Sequence, residues 1–214
     1  MLKNLLRQIF FLFFVRPFLL LLIGVNVFGR ENLKDLKQFI IASNHNSHLD
    51  TLALMNLFPL SKLNLIRPVA ASDYFMKNQI VAWFCSTFIN ILPIPRGGFN
   101  KSCNPVSIMS EQLQKGNSLI IFPEGSRGEP EKMSEFKSGI AHLILKHPEI
   151  PVIPVFIKGM GRTLPKGELI PIPFFCDIVI GEPIHLVGEK EEITKILQTK
   201  VFDLKERFFG ELMD

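Results

Sequence analysis

The chain has 214 residues, enough for one sizeable domain with an appendage and too few for two full domains and a linker. Its hydrophobic fraction of 47% is high for a freely soluble enzyme and is not that of a disordered chain. The net charge of +4 comes from the first thirty residues, which contain Lys3, Arg7, Arg16 and Arg30 and no acidic residue. These basic residues alternate with Leu and Phe. The pattern therefore indicates contact with an anionic membrane surface and argues against nucleic acid as a partner.

The three cysteines, Cys85, Cys103 and Cys176, stand far apart and form no CxxC pair. This spacing is not that of a disulfide framework or a zinc site. We therefore predict reduced, mostly buried thiols in a protein that faces the cytosol.

The first thirty residues are the most apolar part of the chain. Residues 9–28, taken as one helix, would measure about 30 Å and could cross a bilayer. Arg16 is unfavourable at a bilayer centre, and Pro17 interrupts the helical hydrogen bonds at the same place. We therefore expect two short helices that dip into one leaflet, with a single kinked span as the alternative. Residues 1–30 are predicted to be a membrane-anchoring helical hairpin, and residues 31–214 a catalytic domain.

From residue 31 onward, short apolar runs alternate with helical patterns. Four runs predict buried strands, at 38–43, 118–122, 152–158 and 177–180, and the main helices are predicted at 51–58, 105–115, 134–147 and 191–209. This alternation predicts an α/β domain with a largely parallel central sheet flanked by helices. The aromatic run at 81–89 is expected to pack in the core, with an acyl-chain tunnel as the alternative.

A cluster of polar residues, NHNSHLD at 44–50, follows the first predicted strand. Open α/β sheets place their sites at the carboxyl ends of strands. If His45 lies in the loop and Asp50 in the first turn of the next helix, the carboxylate can reach the imidazole, as a general base requires.

Two other interpretations of this cluster compete with a general base. Ser47 and Asp50 also match a capping box, which would only satisfy amides at the start of a helix. His45, His48 and Asp50 could instead bind a metal ion, but the other histidines form no ligand-like cluster, so we predict no metal.

The cluster and three later blocks resemble the glycerophospholipid acyltransferase family, whose best-known members make phosphatidate from lysophosphatidate. NHNSHLD at 44–50 is similar to the family's NHxSxxD block. FPEGSRG at 122–128 is similar to its FPEGTRS block, with Ser126 in place of Thr and Gly128 in place of Ser. IPRGG at 94–98 and IPVIPV at 150–155 resemble the other two, and FKSG at 136–139 fits the helix after the third block. The four blocks cover roughly residues 25–185.

The resemblance implies roles for individual residues. His45 would deprotonate the acceptor hydroxyl, and Asp50 would orient His45, with Asn44 and Ser47 in support. Arg96 and the loop of Glu124, Gly125, Ser126 and Arg127 would bind the acceptor, because an arginine pairs bidentately with phosphate oxygens. Within this loop Glu124 would either contact an acceptor hydroxyl or position the arginine.

These implications define the expected reaction. The protein would transfer a fatty acyl group from acyl-CoA or acyl-carrier-protein to lysophosphatidate, without a cofactor, at the cytoplasmic face of the cell membrane and as a monotopic protein. Another lysophospholipid or a lyso-amino-acid lipid is the alternative acceptor. Two further hypotheses are a metal-dependent or thioester hydrolase and a non-catalytic lipid-binding protein.

Overall fold

The computed structural model describes residues 2–75, 78–95, 104–165, 167–168 and 170–210. Within these ranges, one sheet has seven strands: β1 (Val25–Phe28), β2 (Ile40–Ser43), β3 (Ile66–Ala71), β4 (Leu92–Ile94), β5 (Ser118–Ile121), β6 (Val152–Lys158) and β7 (Cys176–Ile180). The strand order is β1-β7-β6-β2-β5-β3-β4. The helices are α1 (Leu2–Phe10), α2 (Leu49–Asn56), α3 (Ser72–Phe75), α4 (Gln79–Phe84), α5 (Pro105–Gln114), α6 (Gly139–Lys146), α7 (Met160–Thr163) and α8 (Lys190–Phe209).

The strand directions place five strand ends at one edge of the sheet. Strands β6, β2, β5, β3 and β4 pair in parallel, and only the β6–β7 pair is antiparallel. The carboxyl ends of these five parallel strands therefore meet at the same edge, which is where open α/β sheets place their sites. The predicted α/β fold with a largely parallel sheet is confirmed.

Alternate residues of the strands enter two apolar layers, one on each face of the sheet. In β2, Ile41 packs in the layer with α2 and the N-terminal helix, whereas Ile40 and Ala42 pack in the layer with α5, α6 and α8. Since both faces are covered by helices, β2 and β5 are buried along their whole length and β6 as far as Ile157, as their continuous apolar runs predict.

The N-terminal segment is one helix and not the predicted hairpin. Leu2–Ile23 run as 22 helical residues, long and apolar enough to cross a membrane by length and composition alone. The break expected at Pro17 is absent because the helix widens into π turns at Phe11–Val15 and Phe18–Ile23, on either side of the proline. Such local widening accommodates a proline within a helix.

The basic residues of this segment are bound by the folded domain. Arg16 donates hydrogen bonds to Oδ1 of Asn56 (3.3 Å) and to the carbonyl of Phe58 (3.4 Å), and Arg30 donates to the carbonyl of Leu57 (3.2 Å). These arginines therefore satisfy carbonyl groups at the C-terminal end of α2. Arg7 is 3% exposed, so the protein itself also encloses this guanidinium.

Several predicted boundaries also differ from the structure. Strand β1 pairs with β7, so the sheet begins before the predicted domain boundary at residue 30. Strands β3 and β4 were not predicted, since Pro68 and Pro93 interrupt their apolar runs. The predicted helix at 134–147 begins only at Gly139. Cys85 and Cys176 are buried free thiols, as predicted, and Cys103 lies outside the described residues.

Candidate functional site

His45 and Asp50 face each other directly after β2. Nδ1 of His45 lies 3.0 Å from Oδ2 of Asp50, which is fully buried. The histidine lies in the loop and the aspartate in the first turn of α2. Because one nitrogen of the imidazole is held by the carboxylate, the other nitrogen, Nε2, is left to exchange a proton with a bound molecule.

The same carboxylate also holds the backbone of its own loop. Oδ2 of Asp50 accepts hydrogen bonds from the backbone N–H groups of Asn46 and Ser47, both at 2.8 Å. The hydroxyl of Ser47 accepts from the N–H of Leu49 (3.3 Å) and donates to the carbonyl of Leu164 (3.0 Å). The contact of Asp50 with the N–H of Ser47 is that of a capping box, whereas the hydroxyl of Ser47 accepts from Leu49 and not from Asp50. Asp50 therefore makes its half of the capping box together with the imidazole contact, so the two interpretations of Asp50 do not exclude each other.

Asn44 attaches the loop to the neighbouring strand β6. Its side-chain amide accepts from the N–H of Ile157 (2.7 Å) and donates to the carbonyl of the same residue (2.8 Å). This pair of bonds continues the β2–β6 ladder by one residue with a side chain in place of backbone. The contacts give Asn44 and Ser47 the supporting positions expected for them.

Glu124 reaches the His45 loop from the end of β5. Its Oε1 accepts from the backbone N–H of His45 (2.8 Å), and its Oε2 accepts from that of Ser134 (2.9 Å). The N–H of Gly128 donates to the carbonyl of His45 (2.9 Å), so each of the two loops donates a hydrogen bond to the other. Burial raises the pKa of Glu124, and the amide hydrogen bonds oppose that rise. Glu124 was expected to contact an acceptor hydroxyl or to position the arginine; in the described chain its carboxylate accepts from the backbone amides of His45 and Ser134.

The rings of Phe122 and His48 form part of the environment of the His45 imidazole. Phe122 stacks on His45 with ring centroids 3.9 Å apart and an interplanar angle of 16°. The neighbouring His48 has its pKa lowered to about 4, first by burial and then by the charges of Arg127 and His45. His48 is therefore neutral at neutral pH and adds no charge beside His45.

A cavity of about 620 Å³ opens at this edge of the sheet. This volume suits a ligand of the size of a small organic molecule. One side is apolar and comes from β3, β4 and α5; its residues include Val69, Ala71, Ile94, Val106 and Met109. The other side is polar and includes His45, His48, Ser126, Arg127 and Lys137.

The cavity brings together most of the predicted site residues. His45, Gly125, Ser126 and Arg127 line it, and Asp50, Asn44, Ser47 and Glu124 support the two loops from behind. The predicted binding residue Arg96 lies outside the described residues. No residue of the aromatic run 81–89 lines the cavity in the described part of the chain. Trp83 is 56% exposed, whereas Cys85 and Thr87 are buried.

Two residues of the site were not assigned a role from the sequence. Phe122 was read only as the end of a strand, although its position at the start of the FPEGSRG block could have placed it beside the loop. Lys137 was read only as part of the helix that follows this block. Among the described residues, no group of three His, Cys, Asp or Glu side chains is arranged to hold a metal ion.

Gly125 has a backbone conformation that explains its presence in the loop. Its φ of +75° is in the left-handed region, and an added Cβ would meet Nζ of Lys137 at 2.7 Å. We expect Gly125→Ala to lower the free energy of unfolding by about 1 kcal/mol from backbone strain, and to lower the activity of the site as well because Lys137 must move.

Gly116→Ala is the matched control for this substitution. Gly116 has a φ of +80° but nothing within 4 Å of an added Cβ. Thermal unfolding should show a similar loss of stability in both variants, and only Gly125→Ala should lose activity. Equal activity in the two would contradict the prediction.

The chain was then compared with known proteins. The model of the family described as Acyltransferase matches residues 24–158. The chain is 28% identical over 171 residues to the chloroplastic 1-acyl-sn-glycerol-3-phosphate acyltransferase LPAT1 of Arabidopsis thaliana, covering 79% of this chain and 45% of that protein. It is 25% identical over 173 residues to the mouse 1-acyl-sn-glycerol-3-phosphate acyltransferase alpha, covering 78% of this chain and 56% of that protein. The chain thus spans about half the length of these curated relatives.

A solved structure has a similar fold. The crystal structure of the 1-acyl-sn-glycerophosphate acyltransferase PlsC from Thermotoga maritima matches with a TM-score of 0.73 and 25% identity, covering 89% of this chain and 75% of that one. The similarity therefore extends over most of this chain. Since the family model covers more than half of the residues, the chain belongs to the acyltransferase family.

Proposed function

We propose that this protein transfers a fatty acyl group from a thioester to the free hydroxyl of lysophosphatidate and so forms phosphatidate. The observation that carries the proposal is the His45–Asp50 pair, 3.0 Å apart, on the wall of a cavity that has one apolar and one basic side. The relatives that are named 1-acyl-sn-glycerol-3-phosphate acyltransferases support the choice of acceptor.

In the proposed reaction His45 acts first as a base and then as an acid. Nε2 accepts the proton of the acceptor hydroxyl while the hydroxyl oxygen attacks the thioester carbonyl carbon. The C–S bond then breaks, and the leaving thiolate takes the proton from the imidazolium. Asp50 stabilises the imidazolium between the two proton transfers. No acyl-enzyme is formed, since the acceptor oxygen attacks the thioester directly.

The basic side of the cavity is suited to an acidic headgroup. Arg127 lies in the loop that Glu124 holds against His45, and both line the cavity, so a phosphate bound by the guanidinium would lie close to the imidazole. The apolar side, from β3, β4 and α5, offers a surface for hydrocarbon. The donor is acyl-CoA or acyl-carrier-protein, both of which present the same phosphopantetheine thioester.

The test is an assay of the purified chain with a labelled acceptor. Lysophosphatidate is supplied in detergent with acyl-CoA or acyl-carrier-protein, alongside other lysophospholipids and a lyso-amino-acid lipid. Phosphatidate formed faster than any other product would support the proposal. Thioester consumed at the same rate with and without an acceptor would identify a hydrolase, and no turnover would favour a lipid-binding protein.

We further propose that the protein is monotopic and lies on the cytoplasmic face of the cell membrane through its N-terminal helix. The exposed side chains of this helix include Phe13, Leu20 and Leu21, which are 66%, 74% and 78% exposed, while Arg7 is buried and Arg16 is bound by α2. An apolar helix face of this kind is suited to a membrane surface, where both the acceptor and the product reside.

The helix face is tested by replacing Phe13, Leu20 and Leu21 together with serine. We expect most of the wild-type protein to float with vesicles of phosphatidylglycerol and phosphatidylethanolamine, and most of the triple variant to remain in the soluble fraction. Replacement of the exposed Leu65 and Val187 with serine is the control, since both lie outside the N-terminal helix. Equal flotation of the triple variant and the wild type would contradict membrane binding through this face.

A further inference from the structure

Lys137 lies against the loop that carries Arg127. Its backbone N–H donates to the carbonyl of Pro123 (2.9 Å), which fixes the start of its side chain beside the loop. An added Cβ on Gly125 would stand 2.7 Å from Nζ, 3.0 Å from Cε and 3.1 Å from Cδ of Lys137. The side chain of Lys137 therefore runs over the backbone of Gly125, and a residue other than glycine there would displace it.

Lys137 lines the same cavity as His45. Lys137, Arg127 and His45 all line this cavity. The acidic residue of the loop, Glu124, has both carboxylate oxygens occupied by backbone amides. In the part of the chain that the structure describes, no carboxylate forms an ion pair with Lys137. The lysine is thus a cation at the cavity wall, with its positive charge available to a bound anion.

We propose that Lys137 is a second basic ligand, together with Arg127, for the phosphate of the acceptor, and that it sets the preference for a phosphomonoester headgroup. This inference rests on the proposed acyltransferase function. A phosphomonoester carries close to two negative charges at neutral pH. Arginine binds such a group through two parallel hydrogen bonds, and lysine adds a point charge that favours the dianion. A headgroup without that second charge gains less from Lys137.

The experiment separates the acceptor from the donor by their KM values. Lys137→Met, Lys137→Arg and Lys200→Met are compared with the wild type, with lysophosphatidate and acyl-CoA each varied in turn. Lys200 is an exposed lysine of α8 and does not line the cavity, so its variant controls for the loss of one surface charge. Thermal unfolding of each variant checks that the fold is kept.

We expect Lys137→Met to raise the KM for lysophosphatidate about tenfold, equivalent to about 1.4 kcal/mol, and to leave the KM for acyl-CoA unchanged. Lys137→Arg should recover most of the loss because it restores the charge. The concentration of glycerol 3-phosphate that inhibits the reaction by half should rise in Lys137→Met by a similar factor, since this molecule offers the same phosphate without an acyl chain.

Two results would overturn the inference. An unchanged KM for lysophosphatidate in Lys137→Met would remove Lys137 from the acceptor site, and a rise confined to the KM for acyl-CoA would assign it to the phosphates of the donor. Both require a wild-type protein that acylates lysophosphatidate. A wild-type protein that acylates no acceptor contradicts the proposed function itself, so the two failures are distinguishable.

Discussion

His45→Ala is expected to lower the rate of acyl transfer by about 10²- to 10⁴-fold, the usual contribution of a positioned general base. The imidazole is the group that Asp50 holds at 3.0 Å and that lines the cavity, so its removal leaves no acceptor for the hydroxyl proton at that position. The measurement is the initial rate of phosphatidate formation in detergent, with wild type and variant at equal concentration.

His185→Ala is the matched control for this loss. His185 is exposed and lies outside the cavity. Within the described chain, its hydrogen-bond partner is the carbonyl of Pro148 (2.9 Å). The control variant should keep the wild-type rate. Because His45→Ala also removes the contact with Phe122, its thermal unfolding must be compared with the wild type. A correctly folded His45→Ala that forms phosphatidate at the wild-type rate would show that His45 is not the base.

Asp50→Asn is expected to lower the rate by about 10²- to 10⁴-fold while keeping the loop folded, since the comparable change in a histidine–aspartate pair of other enzymes acts in this range. One oxygen of Asp50 accepts all of its hydrogen bonds, and the other, Oδ1, has no hydrogen-bond partner in the described structure. An asparagine can therefore direct its amide oxygen to the same two backbone N–H groups. It cannot supply the negative charge that stabilises the imidazolium.

This variant separates the two roles of Asp50. If the carboxylate were only part of a capping box, Asp50→Asn should change stability slightly and leave the rate within about a factor of three, because asparagine also accepts from backbone amides. If it orients and stabilises His45, the rate falls far more than the free energy of unfolding. Asp203→Asn, an exposed position on α8, is the control for a change of one charge.

The contacts around Glu124 show how the site gains its rigidity. A catalytic group must be held close to its productive geometry by residues that are themselves fixed. Here the N–H of His45 donates to the carboxylate of Glu124, and the carbonyl of His45 accepts from the N–H of Gly128. The FPEGSRG block therefore contributes to the histidine loop as well as to the cavity wall.

Parts of the site could be predicted from residues near one another in the chain. His45 and Asp50 are five positions apart in one loop and the first turn of one helix, so local geometry alone brings the carboxylate to the imidazole. The buried strands β2, β5 and β6 were predicted because continuous apolar runs of this length require cover on both faces. The alternation of these runs with helical patterns also predicted the parallel sheet.

Other features required contacts between distant residues. Glu124 lies 79 positions from His45 in the chain. Its carboxylate reaches the backbone N–H of His45 because β2 pairs with β5. Periodicity predicts that a segment is a strand but not which strand lies beside it, so the contact of Glu124 with His45 was not predicted. The same reason applies to Lys137, whose place over Gly125 depends on how the loop before α6 returns to the cavity.

The N-terminal segment illustrates the division between sequence and tertiary structure. The sequence by itself determined the fold class, the histidine–aspartate pair and the apolar character of residues 9–28, because each depends on local composition or spacing. Only the tertiary structure decided that Arg16 and Arg30 bind the end of α2 and that β1 joins the sheet. A charged side chain or a short apolar run can be stabilised by many different partners, so its actual partner depends on the tertiary contacts of the folded chain.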